Sequence, residues 1–242
     1  MSARSPRAGT PRRRLVSQET YETVFGTVYV GLATNAMLVV ACLPVLVLLA
    51  TTDPRASWPA LAVVAPLVAP ALVAAFAVFS ALSADGSTTA VRTFWRAYRR
   101  HARRALAIGA MTSAVVVVLA VDVAAVWGAR IGAAAIPVFV TLLVLTVLTA
   151  LMALVAVPEL PTARLRDLLR TSLYLAVRRW YLSVAALAVL GMLLSIVATR
   201  PAVGLGFVAA PLLFVVWGGC RFALRSALPD GEHRRAPGVA AS

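Results

Sequence analysis

Six runs of apolar residues, each about as long as a lipid bilayer is thick, follow one another along this chain. Their approximate limits are 27–50, 60–83, 105–127, 132–157, 182–199 and 202–224. A hydrocarbon core of about 30 Å needs on the order of 20 helical residues. All six runs meet or approach that length; the fifth is the shortest, and the fourth is long enough to tilt. A water-soluble domain is roughly 45–50% apolar and about 25% charged. Here 61% of residues are hydrophobic and 13% charged, so a soluble fold could not cover its own core. The excess predicts lipid as the solvent. The expected fold is all-α: an integral membrane bundle over residues 24–225, with six transmembrane helices as three hairpins joined by cytoplasmic basic amphipathic helices. Residues 1–23 and 226–242 read as disordered cytoplasmic tails, the first of them basic.

Arginine placement orients the spans. All 23 basic residues are arginine, and the net charge is +14. Lysine is absent, which together with the abundance of Ala and Val reflects GC-rich coding and points to a bacterium. Twenty arginines fall in the N-terminal tail, in the connections after spans two and four, and at the C-terminal end. Arg55, Arg130 and Arg200 stand alone in the other three connections. Rich and poor segments alternate as six spans require, so the positive-inside rule predicts a multi-pass inner-membrane protein with both termini in the cytoplasm. "RRRLVS" is similar to a twin-arginine export signal. The polar "SQETYET" separates it from the first apolar run, however, and no cleavage site follows.

The stretch "VRTFWRAYRRHARRAL", residues 91–106, holds six arginines, one histidine and three large aromatic residues. At about 100° per residue, Val91, Phe94, Trp95, Tyr98 and Ala102 share an arc of about 100°. Arg92, Arg96, Arg99, Arg100 and Arg103 occupy a neighbouring arc. This pattern predicts an amphipathic helix in the headgroup region, apolar face down, leading into span three. Each arginine near the anionic inner leaflet contributes about 1 kcal/mol. The simplest reading of these basic helices is as topology determinants with no binding role; the alternative makes Phe94, Trp95, Tyr98 and the five arginines candidate contacts for lipid headgroups or a partner. Nucleic acid is not expected, because the flanking spans hold this surface against lipid. A second such helix is expected in "TARLRDLLRTSLYLAVRRWYLS", residues 162–183, where Leu165, Leu168, Leu169, Leu173 and Ala176 recur at helical spacing.

Few residues could carry chemistry. Asp122 lies in span three, about a turn and a half before Trp127; an edge carboxylate paired with Arg130 is the favoured reading, a proton or ion relay the alternative. Asn35 in span one is expected to hydrogen-bond to another helix rather than contact substrate. Pro44, Pro66, Pro70, Pro137 and Pro211 lie in spans, where proline removes a helix hydrogen bond and bends the axis. Cys42 and Cys220 sit in apolar runs and read as small buried hydrophobes. No metal-ligand spacing, nucleophile–base arrangement or phosphate-binding glycine loop is present. The sequence gives no reason to expect an enzyme, a metal or a cofactor.

These features together resemble the YesL family of small bacterial membrane proteins, a domain of unknown function. The resemblance covers roughly residues 22–225. It rests on Asn35 and Pro44 in "TNAMLVVACLP", on Gly86, Phe94, Trp95, Arg96, Tyr98 and Arg99 in "DGSTTAVRTFWRAYRR", and on Pro158 before the second basic helix. His101 stands where the family often has asparagine. Some members are labelled redox flavoproteins; nothing in these residues would bind flavin, nicotinamide or an iron–sulfur cluster. The resemblance implies an accessory role beside carbohydrate-uptake transporters of the ATP-binding-cassette type. The alternative is a transport subunit passing a small solute between kinked spans. Glu159 in the connection at 158–181 lacks the alanine pair and glycine of a permease coupling helix, which counts against that rival.

Overall fold

The computed structural model describes residues 18–53, 56–86, 89–129, 132–160, 163–178, 180–199 and 203–225. Residues 1–17 and 226–242, most of the two expected tails, lie outside that set, as does Arg130. Every regular element among the described residues is helical. Four helical segments are long and apolar enough to cross a membrane: Trp58–Asp85, Ala90–Val126, Ala134–Glu159 and Gly204–Leu224. A fifth crossing arises if the bent pair Phe25–Ala41 and Leu43–Thr51 is one span. This is the make-up of a helical membrane protein.

The first apolar run is not one straight helix. Helix α1 (Gln18–Ala41) begins inside the polar stretch read as tail, and it is followed after Cys42 by α2 (Leu43–Thr51). The two axes diverge by 63°. Pro44 is the cause, for it lacks an N–H and its ring clashes with the carbonyl four residues back. Pro66 acts more gently. It converts one turn between α3 (Trp58–Val64) and α4 (Val68–Asp85) into a 3₁₀ turn at Ala65–Leu67. Pro137 and Pro158 lie within α6 (Gly132–Glu159) without ending it.

Helix α4 ends at Gly86, whose φ of 61° suits a residue without Cβ. The chain then reverses into α5 (Ala90–Val126), 37 residues without a break. At 1.5 Å per residue α5 is about 55 Å long, well beyond a hydrocarbon core of about 30 Å. The basic stretch is therefore the same rod as span three. It is not a separate helix lying flat in the headgroups, because no glycine or proline between Arg92 and Ile108 permits a corner.

The buried core lies where α4, α5 and α6 meet. Ala71 and Val73 to Phe76 in α4 are fully buried, as are Phe94, Ala105 and Ile108 in α5. Leu148 and every residue from Ala150 to Val157 in α6 are buried too. Gly109 allows the closest approach: a Cβ there would lie 2.9 Å from the Ala69 Cβ and 3.0 Å from the Pro66 carbonyl oxygen. Helix α7 (Leu165–Arg178) packs on α6 through Leu168, Ser172, Leu175 and Ala176. Helix α8 (Trp180–Thr199), with a shorter apolar segment at Val184–Val197, packs on the last helix, α9 (Ala209–Arg225).

A π-helical turn, Gly204–Val208, precedes α9. Pro211 explains it: the ring would strike the Phe207 carbonyl in a regular ladder, and widening the turn relieves the clash. The side chain of Asn35, 1% exposed, fills the gap. Its Nδ2 donates to the Gly206 carbonyl at 2.9 Å, and its Oδ1 accepts from the Ala210 N–H at 2.7 Å.

Candidate functional site

The first five turns of α5 present two opposed faces. Ala90, Phe94, Ala97, His101, Ala105 and Ile108 are all buried and recur at three- and four-residue spacing. They form the stripe that packs on the bundle, where α5 lies against both α4 and α6. The sequence places the apolar face about 70° away, centred on the aromatic residues. The structure turns it toward the alanines, whose small side chains let neighbouring helices approach closely around the buried Phe94 and Ile108. Val91 is accordingly exposed, and Trp95 and Tyr98 are half-buried. The face buries itself on protein instead of resting on lipid.

Trp95 and Tyr98 are held in place by each other and by Phe94. The Phe94 and Tyr98 rings stack at 6.3 Å and 17°, and Trp95 meets both edge-on at 6.0 and 5.5 Å. These three rings fix one margin of the opposite face. That face carries Arg92, Arg96, Arg99 and Arg103, a single stripe at spacings of four, three and four residues, with Arg100 beside it. All five are exposed and make no ion pair or hydrogen bond among the described residues. Arg92, Arg96, Arg99, Arg100 and Trp95 border a surface hollow of about 550 Å³. Arg104, the sixth arginine, belongs elsewhere: its Nη2 donates to the Ala163 carbonyl at 2.9 Å, tying α5 to the approach to α7.

A second polar cluster joins the ends of α4, α6 and α9. Arg221 Nε stands 3.2 Å from Glu159 Oε1, close enough for an ion pair although its N–H is not aimed at that oxygen. Ser80 Oγ donates to the same oxygen at 3.2 Å. The guanidinium lies 4.8 Å above the Trp217 ring, a cation–π contact. Phe79 and Phe214 complete an aromatic wall around Trp217, with centroid distances of 5.4 to 6.2 Å. Sequence reasoning missed this junction. Glu159 and Arg221 each look like ordinary residues at the end of a span, and nothing local links them.

A chamber of about 740 Å³ opens among α3, α4, α5 and α6, with α8 and α9 also contributing, lined by residues such as Trp58, Leu72, Val116, Leu151, Leu190 and Leu213. Its two lining hydroxyls are already engaged: Thr112 donates to the Ile108 carbonyl and Ser113 to the Ala62 carbonyl, at 2.8 and 2.7 Å. No charged residue lines it. Such a cavity offers a hydrophilic solute nothing in exchange for its water.

Asp122 lies part-exposed near the far end of α5, with no partner among the described residues; its expected partner Arg130 falls outside them. Cys42 and Cys220 are buried free thiols. No group of three or more His, Cys, Asp or Glu side chains could hold a metal among the described residues.

A family profile described as "Protein of unknown function, DUF624" matches residues 31–123. That match takes in Asn35, the α4–α5 hairpin and the whole arginine stripe. No curated protein and no solved structure matches the chain.

Proposed function

We propose that this chain is a non-enzymatic accessory protein of a bacterial inner membrane, and that its arginine stripe docks a partner on the cytoplasmic side. The observation that carries the proposal is the unneutralised row Arg92, Arg96, Arg99 and Arg103 on a helix whose other face is fully committed to the core. A stripe that served only to orient spans would need arginines but no fixed geometry. Here the buried face of Phe94, Ala97 and His101 holds the guanidinium row at one angle to the bundle.

In the proposed topology, the bent α1–α2 pair and the shorter α8 join the four long segments to give six crossings, with both termini in the cytoplasm. The resemblance to the YesL family supports choosing the partner from a carbohydrate-uptake system of the ATP-binding-cassette type. The rival, solute transport between kinked spans, fits less well. A sugar entering the apolar chamber would leave its hydroxyls unpaired, at a penalty of roughly 1–3 kcal/mol each.

The test replaces Arg96, Arg99, Arg100 and Arg103 with Gln in the full chain. Membrane insertion should be unchanged while recovery of uptake-system components with the tagged protein falls. Unchanged recovery from correctly inserted variant would remove the docking reading.

A further inference from the structure

Resting on that docking reading, we infer that Arg92 and Arg96 pair with a carboxylate-rich segment of a partner protein, beyond the reach of lipid headgroups. The apolar part of α5, from Ala105 to Val126, rises about 33 Å and so accounts for the whole hydrocarbon core of about 30 Å. Arg103 therefore sits about 3 Å above the hydrocarbon boundary, Arg99 about 9 Å, Arg96 about 14 Å and Arg92 about 20 Å. A headgroup layer is about 5–8 Å deep on each side. The potential of an anionic leaflet decays over a Debye length of about 8 Å.

Arg99 and Arg103 thus lie in or next to the headgroups, and Arg92 and Arg96 stand clear of them. Side-chain direction widens the gap. Helical side chains lean toward the helix N-terminus, which in α5 points away from the bilayer. The upper guanidinium groups can therefore bend down to the leaflet only against their own rotamer preference. The described acids offer no relief: none pairs with the stripe, and Glu159 is taken by Arg221.

The chemistry of the missing counter-charge follows from the surroundings. Guanidinium groups bind carboxylate or phosphate through paired N–H donors. Single-stranded nucleic acid would also seek free aromatic faces on which to stack. The rings at hand are engaged with one another, Trp95 with Phe94 and Tyr98. Arginines at four-, three- and four-residue spacing match acidic side chains at the same spacing on a helix laid alongside α5. Protein carboxylates therefore fit this row better than a polynucleotide does.

The experiment uses the full chain in nanodiscs of pure phosphatidylcholine, with a fluorescent helical peptide bearing glutamates at four-residue spacing as probe. The peptide should bind and be released by added salt, and a glutamine version should not bind. Arg92→Gln with Arg96→Gln should weaken binding about tenfold, the loss expected for two exposed ion pairs. Arg99→Gln with Arg103→Gln should weaken it less, and lysine at 92 and 96 should restore most of it. Equal binding by wild type and the upper-pair glutamine variant would overturn the assignment. So would tighter binding of a single-stranded oligonucleotide than of the peptide, or loss of all peptide binding when phosphatidylglycerol is added to the disc. The two proposals fail separately. If the four-arginine variant loses its partner in cells yet the glutamate peptide does not bind wild type, docking stands and the carboxylate assignment falls.

Discussion

Asn35 stands between two backbone groups of one distant helix: it donates to the Gly206 carbonyl and accepts from the Ala210 N–H. In a regular α-helix those two groups would bond to each other, since they lie four residues apart. The π-helical turn ahead of Pro211 disturbs the ladder here, and an amide from another helix bonds to both groups. Asn35 is in this sense a replacement rung in the last helix.

Asn35→Ala should destabilise the protein by about 1–3 kcal/mol, since it leaves a buried donor and acceptor unmade. Thermal unfolding in detergent reads the loss. In a Pro211→Ala background, where the ladder can close on itself, the same substitution should have a visibly smaller effect. Equal losses in both backgrounds would show that the asparagine acts through packing alone.

The junction of Glu159 and Arg221 should behave as a coupled pair. Each is part-buried, at 28% and 15% exposure, so the penalty for breaking the pair is expected near 1–2 kcal/mol, below the 3–5 kcal/mol typical of fully buried pairs. Glu159→Gln and Arg221→Gln should each lower the unfolding temperature. The double variant should fall short of the sum of the two losses. Strict additivity would dissolve the pair.

Two glycines in apolar helices should respond in opposite ways. Gly109→Ala drives a methyl group into Ala69 and the Pro66 backbone, and should reduce stability by about 1–3 kcal/mol. Gly31→Ala meets nothing within 4 Å and should be neutral or stabilise by up to about 1 kcal/mol through helix propensity. The comparison reads the tightness of the α4–α5 contact, and a neutral Gly109→Ala would refute it.

Topology yields to cysteine labelling in a chain lacking Cys42 and Cys220. A single cysteine at Arg96 should react with a membrane-impermeant maleimide only after the cytoplasmic side is opened. One at Trp127, which is 73% exposed, should react in intact cells. The reverse pattern would invert the orientation on which the docking proposal stands.

Three of the six apolar runs were legible to within a few residues. Runs two, four and six correspond to Trp58–Asp85, Gly132–Glu159 and Gly204–Leu224, because helix length and hydropathy are local properties. The bend at Pro44 could be located but not sized: how far a helix turns depends on what it packs against. The buried face of α5 was misjudged in angle for a similar reason. Ala90, Ala97 and Ala105 add little hydrophobicity but allow close approach, and only a neighbouring helix reveals that value. The Asn35 contact was foreseen as a link to some other helix, yet its partner is 171 residues away and nothing near Asn35 names it. The Glu159–Arg221 pair and the Arg104 tie to Ala163 left no local signal at all.

The unbroken course of α5 has a mechanical consequence. A helix with no hinge between Arg92 and Val126 transmits displacement along its axis instead of absorbing it. A sideways pull on the arginine-bearing tip would turn about the Gly109 crossing, where α5 lies tightest against α4. The displacement would then emerge, reversed in direction, at the Val126 end of the helix.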